Sequence, residues 1–418
     1  MSRWPLPDRL NLLLVAAVLF TAWGPLCFNS FDGPHGPGRD MIQFHTAGTI
    51  VNAGQADRLY DQDFFQEAQR PLIGDTIAWH SLYPPLLALL AAPWARLPYP
   101  AAQLVGWTAE AAAFLLALWL CYRWLKVPPR WRVTATLALA AIFPVWVALR
   151  LGQLTPLWLL AVLGGILLHQ RGRRMSAGVL VSLLALKPQL AAPLVLWLLM
   201  RRDWRALGGV ALGVLAQTLV VVMFLGPDVP LNYLRELPTI GTAGNESRFT
   251  PAFERSVLGT ASNILWTFGY HHTEVQGFTH LLQAIVLVLS GAFLLRAVRA
   301  HRRLQRRGAA PEYAPYYEYA CAVLFLALGT PHLLLYDAAL LAVPVVALWS
   351  TPAWRLGLVV YFSVTLAAAF LDIALGFSLG LFLMFWVLYR VARDLDCLER
   401  GTLPARVSPA APPLASPA

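Results

Sequence analysis

The chain has 418 residues, 58% of them hydrophobic and only 13% charged, with a formal net charge of +10. A soluble domain carries about 25% charged residues, so an ordinary soluble globular protein is excluded. A β-barrel is excluded too, because its strands read as short alternating segments and this chain holds long Leu/Ala/Val runs. The basic residues stand in short clusters between apolar runs, as in cytoplasmic loops, and not in a nucleic-acid-binding stripe.

A membrane-spanning helix needs roughly 20 apolar residues. Apolar runs at 10–28, 101–122, 133–149, 154–169, 175–187, 189–200, 206–225, 278–298, 317–330, 333–350, 355–372 and 374–390 predict an all-α polytopic membrane protein with about twelve transmembrane helices. No small-residue cleavage motif follows the first run, so it reads as a retained span. A first outer loop is predicted over 29–100. Within it, YPPLLALLAAPWARLPYP (83–100) is apolar but short and proline-rich. If it crossed the membrane, every later basic cluster would change sides. It is therefore predicted as a juxtamembrane or re-entrant helix, and residues 258–270 as a second candidate of that kind. The runs 175–187 and 189–200 are short and flank Lys187 and Pro188, which suits two helices meeting at a polar cavity. A second outer loop is predicted over 226–257. With the N-terminus inside, LKVPPRWR, QRGRR, RRDWR, RAVRAHRRLQRRG and the C-terminal tail all fall on the inner side. The expectation is one transmembrane domain over 1–400 and a disordered cytoplasmic tail over 401–418, ending SPAAPPLASPA. Cys27, Cys121, Cys321 and Cys397 are widely spaced and form no CxxC pair, so neither a disulfide framework nor a metal site is predicted.

This topology gathers the unusual polar residues on the outer face. Asp40 follows the first span. Arg150, Gly152 and Gln153 form the turn after the third. Lys187 and Gln189 lie between the two short runs. Thr330, Pro331 and His332 precede Tyr336 and Asp337, which are predicted about one turn into the next helix. Each has a plainer reading: Asp40 as a helix cap, Lys187 as a snorkelling side chain, His332 as a helix-end residue. Asp337 is harder to explain that way. An aspartate at the centre of a span costs roughly 2.5–3.5 kcal/mol, so Asp337 is expected to be paired or to face a cavity. Glu110 poses the same question in the second run. Asp57, Asp61 and Asp63 read as solvated turn residues. The chain has no Walker loop, GxGxxG, HExxH or GxSxG motif, so chemistry on a soluble nucleotide-binding domain is not expected.

Five stretches in order suggest a family. Asp40-Met-Ile-Gln-Phe with AGTIVNAGQADRLYD comes first, then YPPLLALLAAPWARLP, LRLGQLTPLWLL, LLALKPQLAAPLVLWLLMRRDWRAL and TPHLLLYDAALLAVP. Together, over most of residues 30–350, they resemble glycosyltransferase family 87. These are GT-C-type membrane enzymes that include polyprenyl-phosphate-mannose-dependent α-mannosyltransferases of mycobacteria. The resemblance implies a lipid-linked sugar donor, an extracytoplasmic active site and an essential acid in the first outer loop, to which Asp40 corresponds. Many GT-C enzymes carry a paired acidic motif there, whereas here Arg39 precedes a lone Asp40. No metal and no cofactor beyond the donor is therefore expected.

The expected function is transfer of a hexose, mannose first, from a polyprenyl-phosphate sugar to a glycolipid or glycan hydroxyl, with Asp40 as general base. Arg150, Gln153, Lys187, His332, Asp337 and Arg248 are the candidates for binding the donor phosphate and substrate, since cationic and donor groups stabilise a departing phosphate. The expected location is the bacterial cytoplasmic membrane, with both termini inside. The alternative is a polytopic transporter or flippase of lipid-linked glycans. Such carriers often show two related halves, and no matching halves are visible.

Overall fold

The computed structural model describes residues 40–74, 80–125, 132–243, 256–270, 272–349, 351–365 and 378–402. The predicted first span, Arg248, Cys27 and nearly all of the predicted tail lie outside them. The architecture is helical, with no strand among the described residues. α1 (Met41–Asn52), α2 (Gln62–Glu67), a single turn Arg70–Ile73 and α3 (Pro85–Ala91) make up the first loop region. Then follow α4 (Tyr99–Leu125), α5 (Arg132–Ala140), α6 (Phe143–Leu151), α7 (Thr155–Gln170), α8 (Arg174–Val181) and α9 (Pro188–Met200). α10 (Trp204–Leu225) leads into α11 (Asp228–Ala243). The second half holds α12 (Val257–Thr267), α13 (His272–Arg306), α14 (Ala314–Gly329), α15 (Ala342–Trp349), α16 (Trp354–Phe362) and α17 (Leu379–Glu399).

Among the described residues, three helices are long and apolar enough to cross a membrane: Tyr99–Trp124, Trp204–Leu225 and Val275–Arg306. Other apolar runs are interrupted. The run 133–149 breaks between α5 and α6, where Pro144 enters the first turn of α6. The run 333–350 opens with irregular backbone and a 3₁₀ turn, Asp337–Leu341, before α15. The predicted juxtamembrane segment 83–100 forms α3 and a 3₁₀ turn, Trp94–Arg96, ahead of α4. The second predicted outer loop is not all loop, since most of its first half is α11.

Proline and glycine set these breaks. At LKPQ, α8 tightens into a 3₁₀ turn, Ser182–Leu186, and Lys187 takes φ −137°, ψ 78°. A residue before proline is pushed out of the helical region, while proline itself suits the first turn of the next helix. Lys187 is thereby placed on the corner between two helices. Gly152 ends α6 with φ 74°, ψ 46°, a left-handed cap that glycine adopts without penalty. It also has no room for a side chain, because a Cβ would lie 2.3 Å from Met41 Cγ. The Asp40 N–H donates to the Leu151 carbonyl at 3.0 Å. The start of α1 is thus docked on the α6–α7 turn by a backbone bond and a glycine-only contact.

α8 and α10 pack with unusual closeness. A Cβ on Gly178 would lie 1.9 Å from the Ala206 carbonyl oxygen, and one on Gly209 would lie 2.1 Å from that of Met175. Small residues let helix backbones meet in this way. α14 is the centre of the bundle: from Tyr317 to Gly329 every residue is buried.

Candidate functional site

Asp40 occupies the N-cap position of α1, yet its side chain makes no capping hydrogen bond. The ordinary explanation for a loop aspartate therefore does not account for it. Asp40 is buried, 6% exposed as a residue, and its carboxylate accepts a hydrogen bond from Gln153 Nε2 at 2.6 Å. The position at a helix N-terminus also favours negative charge. Gln153 sits in the α6–α7 turn directly after Gly152, and its N–H donates to the Ala148 carbonyl at 2.9 Å. That turn fixes the amide that orients Asp40.

Tyr83 stands on the other side of Gln153. Its hydroxyl donates to Gln153 Oε1 at 3.5 Å, a long contact. Burial, and then the charges of Asp337 and Asp40, push the Tyr83 phenol well above its ordinary range. The phenol therefore keeps its proton and remains a donor while sensing both carboxylates.

The second half of the site is an ion pair. Lys187 Nζ lies 2.6 Å from both carboxylate oxygens of Asp337, with side-chain exposures of 4% and 0%. Asp337 also accepts from the Leu334 N–H at 3.3 Å and from the Thr155 hydroxyl at 3.5 Å. The ammonium lies 4.8 Å from the ring centroid of Tyr336, within cation–π range. The expectation that Asp337 is paired holds. Its predicted place inside a helix is corrected: Asp337 is the first residue of the 3₁₀ turn, after irregular backbone that begins at Thr330. Thr330 is extended before Pro331, as a pre-proline residue must be, and its hydroxyl donates to the Gln189 carbonyl at 3.1 Å.

Arg150, in the last turn of α6, and His332, in the irregular segment, are both half-buried. Their elements meet through Phe143, Val147, Ala148, Leu151, Leu334, Leu335 and Tyr336, which form one apolar cluster. Arg248 lies outside the described residues. Among the described residues no three His, Cys, Asp or Glu side chains are grouped so as to hold a metal ion. Two members of the site were not singled out from sequence as such. Thr155 had a usable signal, since it stands two residues after Gln153. Tyr83 opens the predicted juxtamembrane segment, and nothing in its local sequence ties it to Gln153. Beside it a narrow cleft is lined by Gln43, Phe44, His80, Ser81 and Tyr83, among others.

Not every buried polar group belongs to this site. Glu110 in α4 is 2% exposed, and one of its carboxylate oxygens is unpartnered. At the far end of α7, α9 and α14 lies a separate cluster, about 21 Å from Thr155 along α7 at 1.5 Å per residue. There Glu318 accepts from Trp197 Nε1 at 2.9 Å and Arg201 at 2.6 Å, and pairs with His301. His169 Nε2 donates to Asp203 at 2.9 Å, which leaves Nδ1 to accept from the Tyr319 hydroxyl at 2.9 Å. This cluster binds five elements together at the end remote from Asp40. Asp57, Asp61 and Asp63 are exposed, and Asp61 caps α2 through the Phe64 N–H at 3.1 Å.

A family model described as glycosyltransferase family 87 matches residues 81–311, more than half of the chain. No curated protein and no solved structure matches the chain.

Proposed function

This chain belongs to glycosyltransferase family 87, and from that premise we propose that it transfers a hexose, mannose first, from a polyprenyl-phosphate sugar to a glycolipid or glycan hydroxyl. The observation that carries the reading is the Asp40 carboxylate, withdrawn from capping its own helix and held instead by Gln153 at 2.6 Å. Asp40 acts as general base, taking the acceptor proton as the hydroxyl attacks the anomeric carbon. The prenyl phosphate departs as an already weak base, so it needs charge neutralisation more than protonation. Arg150 and His332 are the cations assigned to that task, with Lys187 contributing as a donor from within its pair with Asp337. Arg248 is proposed for the same role from its residue type.

Inversion follows from one base and one displacement. Retention requires a second carboxylate about 5 Å away, acting as nucleophile. Asp337 is the acid on hand, but both its oxygens are engaged by Lys187, which makes it a poor nucleophile. A β-linked phosphate donor therefore yields an α-glycoside. The cleft bounded by Gln43, His80, Ser81 and Tyr83 is the proposed approach for the acceptor, since Gln43 lies one helical turn from Asp40. Arg39 before a lone acid supports metal-independent transfer.

The reading includes about twelve spans, the active site on the extracytoplasmic face and both termini in the cytoplasm of a bacterial cell. It rests on the distribution of Lys and Arg. The test is incubation of purified protein in lipid nanodiscs with labelled polyprenyl-phosphate mannose, glucose or galactose and a panel of glycolipid acceptors. Transfer that is abolished in Asp40→Asn supports the reading. Movement of intact lipid without transfer favours a carrier instead.

A further inference from the structure

α11 is divided into three faces by its burial. Val229 and Tyr233 are buried at 1% and 7%. Leu231, Leu234 and Leu237, spaced by three and hence along one side of a helix, are exposed at 47%, 59% and 37%. The third side carries Asp228, Asn232, Arg235 and Glu236. A surface helix of a soluble protein needs two faces, an apolar one inward and a polar one outward. A helix with a second, outward apolar face beside a polar one fits the plane of a membrane interface.

The covering material is identified by what adjoins that face. α10, of membrane length, exposes Leu212, Leu215, Leu219, Met223 and Phe224. α11 begins three residues after α10 ends, across Gly226 with φ 88°. The exposed leucines of α11 thus follow the exposed apolar surface of α10 across a sharp turn.

The buried face leads to the site. Tyr233 packs on Tyr60 with ring centroids 5.3 Å apart, and the Tyr60 hydroxyl donates to the Tyr83 carbonyl at 2.9 Å. Tyr83 in turn reaches Gln153 and, through it, Asp40. Asn232 adds a bond to the Asp57 carbonyl at 3.4 Å.

We propose that α11 lies flat in the membrane interface at the Asp40 end of the protein, with Leu231, Leu234 and Leu237 seated among the acyl chains, and that it holds the Asp40 site level with the lipid headgroups. The membrane seat stands on the helix itself. Its use in presenting a lipid-linked sugar rests on the transferase reading above.

The test uses the full chain in vesicles of phosphatidylethanolamine and phosphatidylglycerol. Cys27 and Cys397 are replaced by serine, and the buried Cys121 and Cys321 are kept. Spin labels are placed one at a time at Leu231→Cys, Leu234→Cys, Leu237→Cys, Asp228→Cys and Arg235→Cys. Labels at the three leucine positions should collide with oxygen in preference to a water-soluble nickel chelate, and those at positions 228 and 235 should show the reverse. Preference for nickel at all five positions would overturn the membrane seat. So would shielding of the leucine positions from both agents, which would mean a second protein surface covers them. A second arm compares Leu231→Ser/Leu234→Ser/Leu237→Ser with the parent on a long-chain donor and on a short-chain, water-soluble one. Loss of about tenfold on the long-chain donor, well within what three buried leucines allow, with the short-chain rate retained, supports the presenting role. Equal loss on both refutes that role. Absence of transfer by the parent from either donor would defeat the transferase reading and leave the collision data to decide the seat.

Discussion

Removing Asp337 should destabilise the protein as well as alter the site, and the geometry says by how much. Lys187 Nζ is 2.6 Å from both oxygens, and the side chains are 4% and 0% exposed. At an effective dielectric of about 20, unit charges about 3 Å apart attract by about 5.5 kcal/mol. Most of that offsets the desolvation of two buried charges. Deleting one partner leaves the other buried and uncompensated, which costs about 3–5 kcal/mol. Asp337→Leu also strips partners from the Leu334 N–H and the Thr155 hydroxyl, so it should fall at the upper end. Replacing both members, Lys187→Met with Asp337→Leu, should recover most of the loss, because a well-packed apolar pair is often no less stable than a buried ion pair. The assay is equilibrium unfolding in mixed micelles for the parent, both single variants and the double variant, read as a coupling energy. A coupling of about 2 kcal/mol or more is expected. Single losses that simply add in the double variant would refute the pairing. The double variant should remain folded yet transfer poorly, which separates the structural from the chemical role of Lys187.

Asp40→Asn should keep its fold and lose about 10²–10⁴-fold in transfer rate, the range for a general base; turnover near the parent level rejects that role. Gln153→Leu removes a hydrogen bond to a carboxylate and should lower kcat by about 10- to 100-fold, from the 1.5–3 kcal/mol of such bonds, with Gln153→Asn giving partial recovery if placement is what matters. Tyr83→Phe removes a longer bond, and a loss of about 2- to 10-fold is expected, measured as initial rate; no change would exclude the hydroxyl from the site. Asp203 is titrated below its ordinary carboxylate value: burial opposes ionisation, but the His169 hydrogen bond, the Ala206 N–H and Arg174 outweigh it. Because the folded value is depressed, its stabilisation is present above the ordinary carboxylate range and is lost as pH falls through the lowered value. Asp203→Asn should therefore weaken the protein at neutral pH and flatten the acid side of its stability profile; an unchanged acid limb contradicts the assignment. Chelation with EDTA should leave transfer unaltered if no metal takes part, and a loss restored by added divalent ion would show otherwise.

Much of the site could be read from single residues because their chemistry is local. Pro188 after Lys187 and Pro331 after Thr330 dictate breaks wherever they occur, and Gly152 dictates a cap. Such breaks in apolar sequence mark places where polar groups gather, as at Gln153 and Lys187, whereas Asp40 stands out by following the first span and Asp337 by the cost of an acid within one. What could not be read is how they pair. Lys187 and Asp337 are 150 residues apart and Asp40 and Gln153 are 113, and no periodicity carries information over such separations. The structure adds a partner that no local pattern indicates: Lys187, a candidate for the donor phosphate, also pairs with Asp337.

The sequence alone determined that the chain is helical, that it carries helices of membrane length, where its helices break and which family it belongs to, because hydropathy, proline and glycine act over a few residues and family motifs recur in order. Only the tertiary structure decided that Asp40 serves Gln153 and not its own helix, that Asp337 neutralises Lys187, and that α11 turns a second apolar face outward. Those outcomes depend on which surfaces the packed helices bring within a few ångströms of one another, and a side chain of given chemistry takes whichever partner the packing supplies.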